Sequence, residues 1–402
     1  MKKITTLLTA FLLTSITLTA QDVYVSGIEY TNAGSVLVPT LWENGTQQPL
    51  VGGSSNTYAG SVFVSGSDVY VAGYESNGTN LVATLWENGI PQALTSSSGD
   101  SYAGSVIVSG SDVYVAGFES NGTVDVATLW KNGTPQALSS GSNDSYALSV
   151  FISGSDVYVA GYENDGVDYV ATLWKNGIPQ TLNSGVNASY AQSVYVSGSD
   201  VYVAGYESGG IQIATLWKNG TPQTLGSNNS RAHSVFVSGS DVYVAGYESN
   251  GTLLVATLWK NGVAQDLTDG TVFAIAYSVF VYGSDVYVAG SEDDSAILWK
   301  NGIPINLSGS GYGEGFSVFV TNSLGTGDIS KNNFTLYPNP AQDVLNIQAI
   351  EPTTLQLHSL QGQLQKEIKA DKNTQVDISG LASGIYLLKE INGSTAYKVI
   401  KE

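Results

Sequence analysis

Cysteine is absent from this 402-residue chain. That excludes disulfides, thiol nucleophiles, cysteine–zinc centres and iron–sulfur clusters. An exported protein without disulfides must draw its stability from burial and topology. Charge is also scarce: only 12% of residues are Asp, Glu, Lys or Arg, and Arg231 is the single arginine. There are two histidines, and no His pair is placed to hold zinc. No P-loop and no dinucleotide fingerprint occurs, so no cofactor is expected. Long runs rich in Ala, Glu, Lys and Leu are missing, which argues against a helical architecture. No apolar run past the N-terminus nears spanning length, so no transmembrane segment is expected. Basic surface is lacking too, with 34 acids against 15 bases. Such a surface repels nucleic acid and anionic membranes and favours cationic partners.

What the chain does contain begins with a leader. Lys2 and Lys3 precede a short apolar stretch over residues 7–18, and Ala20 is a small residue at a cleavage point. Residues 1–20 therefore read as a signal peptide. Removing its two lysines takes the formal charge from −19 to −21. Beyond it come 46 glycines and 24 tyrosines, a composition that suits short strands and tight turns.

One unit then repeats along the chain. A copy reads SVFVSGSDVYVAGYESNGTNLVATLWENGIPQAL over residues 61–94. Its Trp recurs at Trp42, Trp86, Trp130, Trp174, Trp217, Trp259 and Trp299, and its Asp at Asp22, Asp68, Asp112, Asp156, Asp200, Asp241 and Asp285. Each unit holds four strand-like runs, A to D, here 61–65, 68–74, 82–86 and 91–94. The Asn-Gly after each Trp predicts a type I′ hairpin between C and D. Four strands per unit of this length is the size of a propeller blade. The mature chain starts at a strand B, and a lone copy of strand A, at 317–320, follows the seventh Trp. That copy is the missing first strand of the first blade, so the ends share one blade and close the ring. The expected fold is all-β: a seven-bladed β-propeller over residues 21–320, a linker over 321–332, and a small β-domain over 333–402. The unit lacks the signatures of WD40 and kelch repeats.

The last segment changes composition and carries its own motifs: Tyr337-Pro338-Asn339-Pro340, Gly362, the run Leu381-Ala382-Ser383-Gly384-Ile385-Tyr386, and Lys398-Val399-Ile400-Lys401. It resembles the type A C-terminal sorting domain of the type IX secretion system of Bacteroidetes. The resemblance covers this segment alone. It implies an immunoglobulin-like β-sandwich, contact with the secretion machinery, and passage across the outer membrane to a secreted or cell-surface location.

Repeats serve as an internal alignment. A feature kept in every blade is most simply structural, and a site for one ligand should break the symmetry. The A–B and C–D turns are nearly constant, whereas the B–C and D–A loops vary and define an upper face where function tends to sit. The glutamates Glu29, Glu75, Glu119, Glu163, Glu207, Glu248 and Glu292, the Asp ring and the Trp ring all follow the symmetry. They read as pinning, turn and packing residues, although exposed Trp would suit sugar stacking. The position before each strand-A Ser-Val departs from it: Gly60, Gly104, Leu148, Gln192, His233, Tyr277 and Phe316. Two residues earlier stand Tyr58, Tyr102, Tyr146, Tyr190, Arg231, Ile275 and Glu314. The innermost strand should place these around the upper mouth of the central channel. Candidate ligand-binding residues are therefore Tyr58, Tyr102, Tyr146, Tyr190, Arg231, His233, Tyr277, Glu314 and Phe316. Residues 21–331 hold 27 acids and seven bases. Asp165, Asp168, Asp293 and Asp294 join the Glu ring on the upper face, which suits Ca²⁺, although no segment matches a dedicated Ca²⁺ loop.

Three functions fit. The first is a non-catalytic recognition module that binds a glycan or protein at the upper face. The second is an extracellular polysaccharide hydrolase or lyase using Glu314 with His233 or Arg231, against which the near identity of the blades argues. The third is a structural surface protein without a discrete ligand.

Overall fold

The computed structural model describes residues 21–30, 37–48, 50–51, 56–95, 99–182, 188–309, 311–322, 334–337, 340–349, 352–359, 363–390 and 396–401. The expected signal peptide and residues 323–332 of the expected linker lie outside them. Two compact units result, Gln21–Thr321 and Asn322–Glu402.

Among the described residues, the first unit is built of seven four-stranded antiparallel sheets. In the second sheet, strand A is Tyr58–Ser65, B is Asp68–Ser76, C is Leu81–Glu87 and D is Ile90–Ala93. The first sheet orders Gly313–Asn322, Gln21–Tyr30, Leu37–Glu43 and Thr46–Gln48, so its strand A comes from the far end of the repeat array. That strand runs to Asn322, two residues into the expected linker.

Strand A begins three residues before the predicted 61–65 run. The cause is a bulge. The A–B register shifts between Ala59 and Ser61, and likewise at Gly104, Leu148, Gln192, His233 and Tyr277. An extra residue breaks the two-residue alternation and re-aims the side chains before it. The bulge also explains the glycine of VYVAG. A methyl group at Gly73, Gly117 or Gly161 would fall on the carbonyl oxygen of Tyr58, Tyr102 or Tyr146 in strand A. At Gly117 it would also sit 2.9 Å from the Trp130 ring.

Adjacent sheets pack face to face. Tyr70, Ala72, Ala83, Leu85 and Leu94 of the second meet Ala103, Val106, Val115 and Trp130 of the third. The same pattern continues sheet by sheet, and the seventh packs on the first through Tyr287, Ala289, Leu298, Val25, Trp42 and Val318. All seven tryptophans are buried, none more than 1% exposed. They are packing residues, and the alternative of exposed Trp for sugar stacking is excluded. Each costs about 3–5 kcal/mol to truncate to alanine.

The Ser-Val pair of strand A closes the succession. An inner-edge strand leaves backbone N–H groups without sheet partners. The Val106 N–H donates to Ser61 Oγ, Val150 to Ser105, Val194 to Ser149, Val235 to Ser193, Val279 to Ser234, Val318 to Ser278 and Val62 to Ser317. These bonds of 3.2–3.3 Å form a cycle. Ser149→Ala leaves the Val194 N–H without its acceptor and is expected to cost about 1–2 kcal/mol. A denaturant melt checks this; an unchanged midpoint would mean that the inner edge does without the hydroxyl.

On the opposite rim the Asn-Gly turns have positive φ at both residues, 52° and 79° at Asn88 and Gly89, as a type I′ turn requires. Asn88 Oδ1 accepts from Val69 N at 2.9 Å, and its Nδ2 donates to Asp68 Oδ1 at 3.0 Å. The repeated Asp and Asn thus tie the C–D turn to the start of strand B. Five lysines, such as Lys131 at 2.7 Å from Asp112, join this rim. The Lys131 and Asn132 hydrogen bonds hold the Asp112 carboxyl below its usual range.

The second unit has a three-stranded sheet, Phe334–Tyr337, Val344–Ala349 and Thr374–Asp377, and a four-stranded one, Leu364–Ala370, Thr353–Ser359, Gly384–Glu390 and Ala396–Lys401. Both contribute to one core that includes Leu345, Ile347, Leu355, Leu357, Leu388 and Val399.

Candidate functional site

Strand A carries its bulge close to the start, and this places two side chains per sheet at the upper end of the inner edge. There the nine predicted residues meet a second set from strand B. A run of ring contacts goes from His233 to Tyr277 (5.5 Å between centroids), Phe316 (5.2 Å), Tyr58 (4.5 Å) and Tyr102 (5.7 Å). It continues through Phe118, Tyr146, Tyr162 and Tyr190 to Tyr206, with steps of 4.7–5.9 Å. The guanidinium of Arg231 lies 4.5 Å over the Tyr206 ring. Arg231 and His233 belong to one strand, so the run returns to its start as a belt.

The irregular position has a packing logic. A methyl group at Gly60 would stand 2.8 Å from Tyr58 Cε1 and 3.2 Å from the Tyr102 hydroxyl. The Tyr58 and Tyr102 rings thus lean over the space that Leu148, Gln192, His233, Tyr277 and Phe316 fill elsewhere.

Polar groups punctuate the belt. The Tyr277 hydroxyl donates to Glu314 Oε2 at 2.9 Å, and Tyr146 to Asp125 Oδ2 at 3.0 Å. Arg231 Nε donates to Gln212 Oε1 at 2.8 Å. Burial pushes the carboxyls of Glu314 and Asp125 above their usual range. Burial first, then the neighbouring Arg231, lowers His233 to about 4, so its imidazole is neutral at physiological pH. Its Nε2 is buried and has no hydrogen-bond partner among the described residues. Burial raises the Tyr102 hydroxyl to about 12. The belt therefore offers neutral hydroxyls and ring faces, one fixed cation and two partly buried acids.

Deeper along strand A lies a second aromatic layer that sequence reasoning missed. Phe151, Tyr195, Phe236, Phe280, Phe319 and Phe63 follow one another at 4.6–5.0 Å, with Ile107 at the equivalent place in the third sheet. The strand-B rings of the belt, Tyr74, Phe118, Tyr162, Tyr206 and Tyr247, were missed too. Their signal was the residue after the strand-B glycine, which is aromatic in five units and Ile28 or Ser291 in the other two.

The Glu ring divides. Glu29 accepts from Gln47 Nε2 at 3.0 Å and Glu248 from Ser227 N at 3.1 Å, which are pinning roles. Asp165 Oδ1 caps its own loop through Val167 N and Asp168 N. Among the described residues no group of three or more His, Asp or Glu is placed to hold a metal ion.

In the C-terminal unit, Tyr386 is buried and its hydroxyl donates to Ala382 O at 2.8 Å, which ties the two ends of the Leu-Ala-Ser-Gly-Ile-Tyr run together. Gly384 opens that strand, and Lys398 pairs with Leu387 in it. Tyr337 is half exposed and Pro340 exposed. Pro338, Asn339 and Gly362 lie outside the described residues.

Residues 335–402 match the family model of the secretion system C-terminal sorting domain. The tail is thus the sorting domain of type IX secretion that its motifs suggested. It implies contact with the secretion machinery and marks the chain for export to the cell surface or extracellular space. No curated protein matches the chain. Among solved structures, the crystal structure of TolB from Acinetobacter baumannii is similar, with 12% identity and a TM-score of 0.43 over 60% of this chain. The chain covers 61% of the TolB chain. No helix among the described residues is long and apolar enough to cross a membrane.

Proposed function

We propose that the chain is an exported, non-catalytic recognition module. Residues 21–320 form a seven-bladed β-propeller with its first blade shared between the two ends, and residues 333–402 form an immunoglobulin-like sandwich that serves export. The ligand, a glycan or a protein, docks on the upper face across the aromatic belt. The observation that carries this reading is the continuity of that belt, from His233 round to Arg231, in a chain whose other repeated positions are spent on packing and turns. Ring faces bordered by hydroxyls and a single guanidinium suit sugar rings or an aromatic-rich protein surface.

A thermal-shift screen against soluble polysaccharides, with Ca²⁺ and with chelator, tests the reading. A saturable upward shift is expected with a glycan ligand. Tyr102→Ala and Tyr146→Ala should each weaken that ligand by about tenfold, the scale of one aromatic contact. Unchanged affinity in both variants would remove the belt from the site.

A further inference from the structure

The upper rim of the first sheet departs from the repeat where its two chain segments meet. Tyr30 stands where four of the other six B strands carry serine, as at Ser76 and Ser120, and the remaining two have Asn164 and Asp293. Tyr312 stands where Asp100 and Asp144 hold backbone N–H groups in their sheets. The two tyrosines, with Asp294, Gly313 and Glu314, line a cleft of about 280 Å³. Both rings are open to solvent, Tyr312 at 61% and Tyr30 at 38% exposure. Backbone bonds fix the walls: Tyr30 N donates to Tyr312 O at 2.9 Å, and Gly313 N to Asp294 O at 2.8 Å. Asp293 and Asp294 form a two-residue turn with φ of 47° and 60°, which aligns with the tight B–C pairing of Glu292 and Ser295.

The cleft is electrostatically incomplete. Glu314 is withdrawn from water and feels the like charge of Asp294. Its hydrogen-bond partner is a neutral phenol, Tyr277. Among the described residues no lysine, arginine or histidine forms an ion pair with either acid. A partly buried carboxylate beside an exposed one, with no counter-charge paired to either, favours a cation. Ring faces beside it favour a cation carried on a carbon skeleton, which can pack on the rings, over a bare metal ion, which needs oxygen ligands.

We infer that this cleft binds an organic ammonium group, seated on the Tyr30 and Tyr312 rings and paired with Asp294 and Glu314. The site shares Glu314 with the belt but does not rest on the belt's ligand. A lysine side chain of a partner and an amino sugar both present this group.

The test titrates the full chain with Nα-acetyl-lysine amide and with glucosamine, each against its neutral counterpart, Nα-acetyl-norleucine amide and N-acetylglucosamine. Calorimetry or NMR reads binding. An ammonium probe should saturate and its neutral counterpart should not; the tighter of the two ammonium probes names the source. Asp294→Asn, a residue that tolerates positive φ, and Tyr312→Ala should each weaken binding at least fivefold with unchanged melting temperature. Tyr102→Ala should leave it intact, even where that variant loses a polysaccharide. Equal binding of the neutral counterparts, no binding by any probe, or unchanged affinity in Asp294→Asn would overturn the inference.

Discussion

Gly117→Ala is expected to melt far below the native protein, while Gly110→Ala melts only slightly below it. The two glycines answer to different physics. Gly110 sits in an A–B turn with φ of 63° and open space around its Cα, so alanine there pays the left-handed backbone penalty of about 1–2 kcal/mol. Gly117 has ordinary extended backbone, but its added methyl would land on the Tyr102 carbonyl oxygen and against the Trp130 ring. Neither neighbour can move freely. The carbonyl belongs to the bulge that aims Tyr102 into the belt, and the indole is fully buried. Overpacking of this kind costs about 3 kcal/mol or more, roughly 5 °C or more in a domain of this size. Melting curves of the two variants side by side decide the matter. If they coincide, the glycine of VYVAG is there for some reason other than the approach of strand A.

Removal of residues 335–402 should leave a chain that folds but does not reach the cell surface or the medium. The sorting match is confined to those residues, and the sheets of Gln21–Thr321 carry their own core clusters. Fractionation followed by immunoblotting should find the truncated protein retained inside the cell, with a far-UV spectrum and melting temperature like those of the exported form. A finer variant is Tyr386→Ala, which opens a cavity in the tail's core and removes the bond to Ala382 O. Loss of about 3 kcal/mol from so small a unit should itself reduce export. Undiminished secretion of the truncated chain would show that the address lies elsewhere.

Much of this was legible in the residues. The seven tryptophans, the Asp and Asn-Gly pairs and the array that begins at a strand B all announce themselves by spacing, and their local bonds follow from turn chemistry. The tail was legible from its motifs. The bulge was not, because in a strand buried on both faces the alternation is too weak to reveal one extra residue. The Ser-to-Val bonds were hidden as well, since they join residues in different sheets, six of them 40–45 positions apart and the seventh 255. The belt was half legible. Tyr58, Tyr102, Arg231 and Glu314 drew notice by breaking symmetry. Tyr74, Phe118 and Tyr206, on strand B, drew none, although they supply alternate rings of the same surface.

The sheet shared by the two ends also sets an order of events. Six sheets are local, each complete once some 40 residues have emerged, and can form as the chain lengthens. The first must wait for Gly313–Asn322, whose contact from Ser317 to Val62 spans 255 residues. Closing a loop of that length rather than one of about 45 costs roughly 1.5 kcal/mol more in chain entropy. Until then the inner edge of Gln21–Tyr30 is unpaired and the seventh sheet lacks a neighbour on one face. The first sheet is therefore expected to complete last, and the rim that holds Tyr30, Tyr312 and Glu314 forms only when the two ends of the array have met.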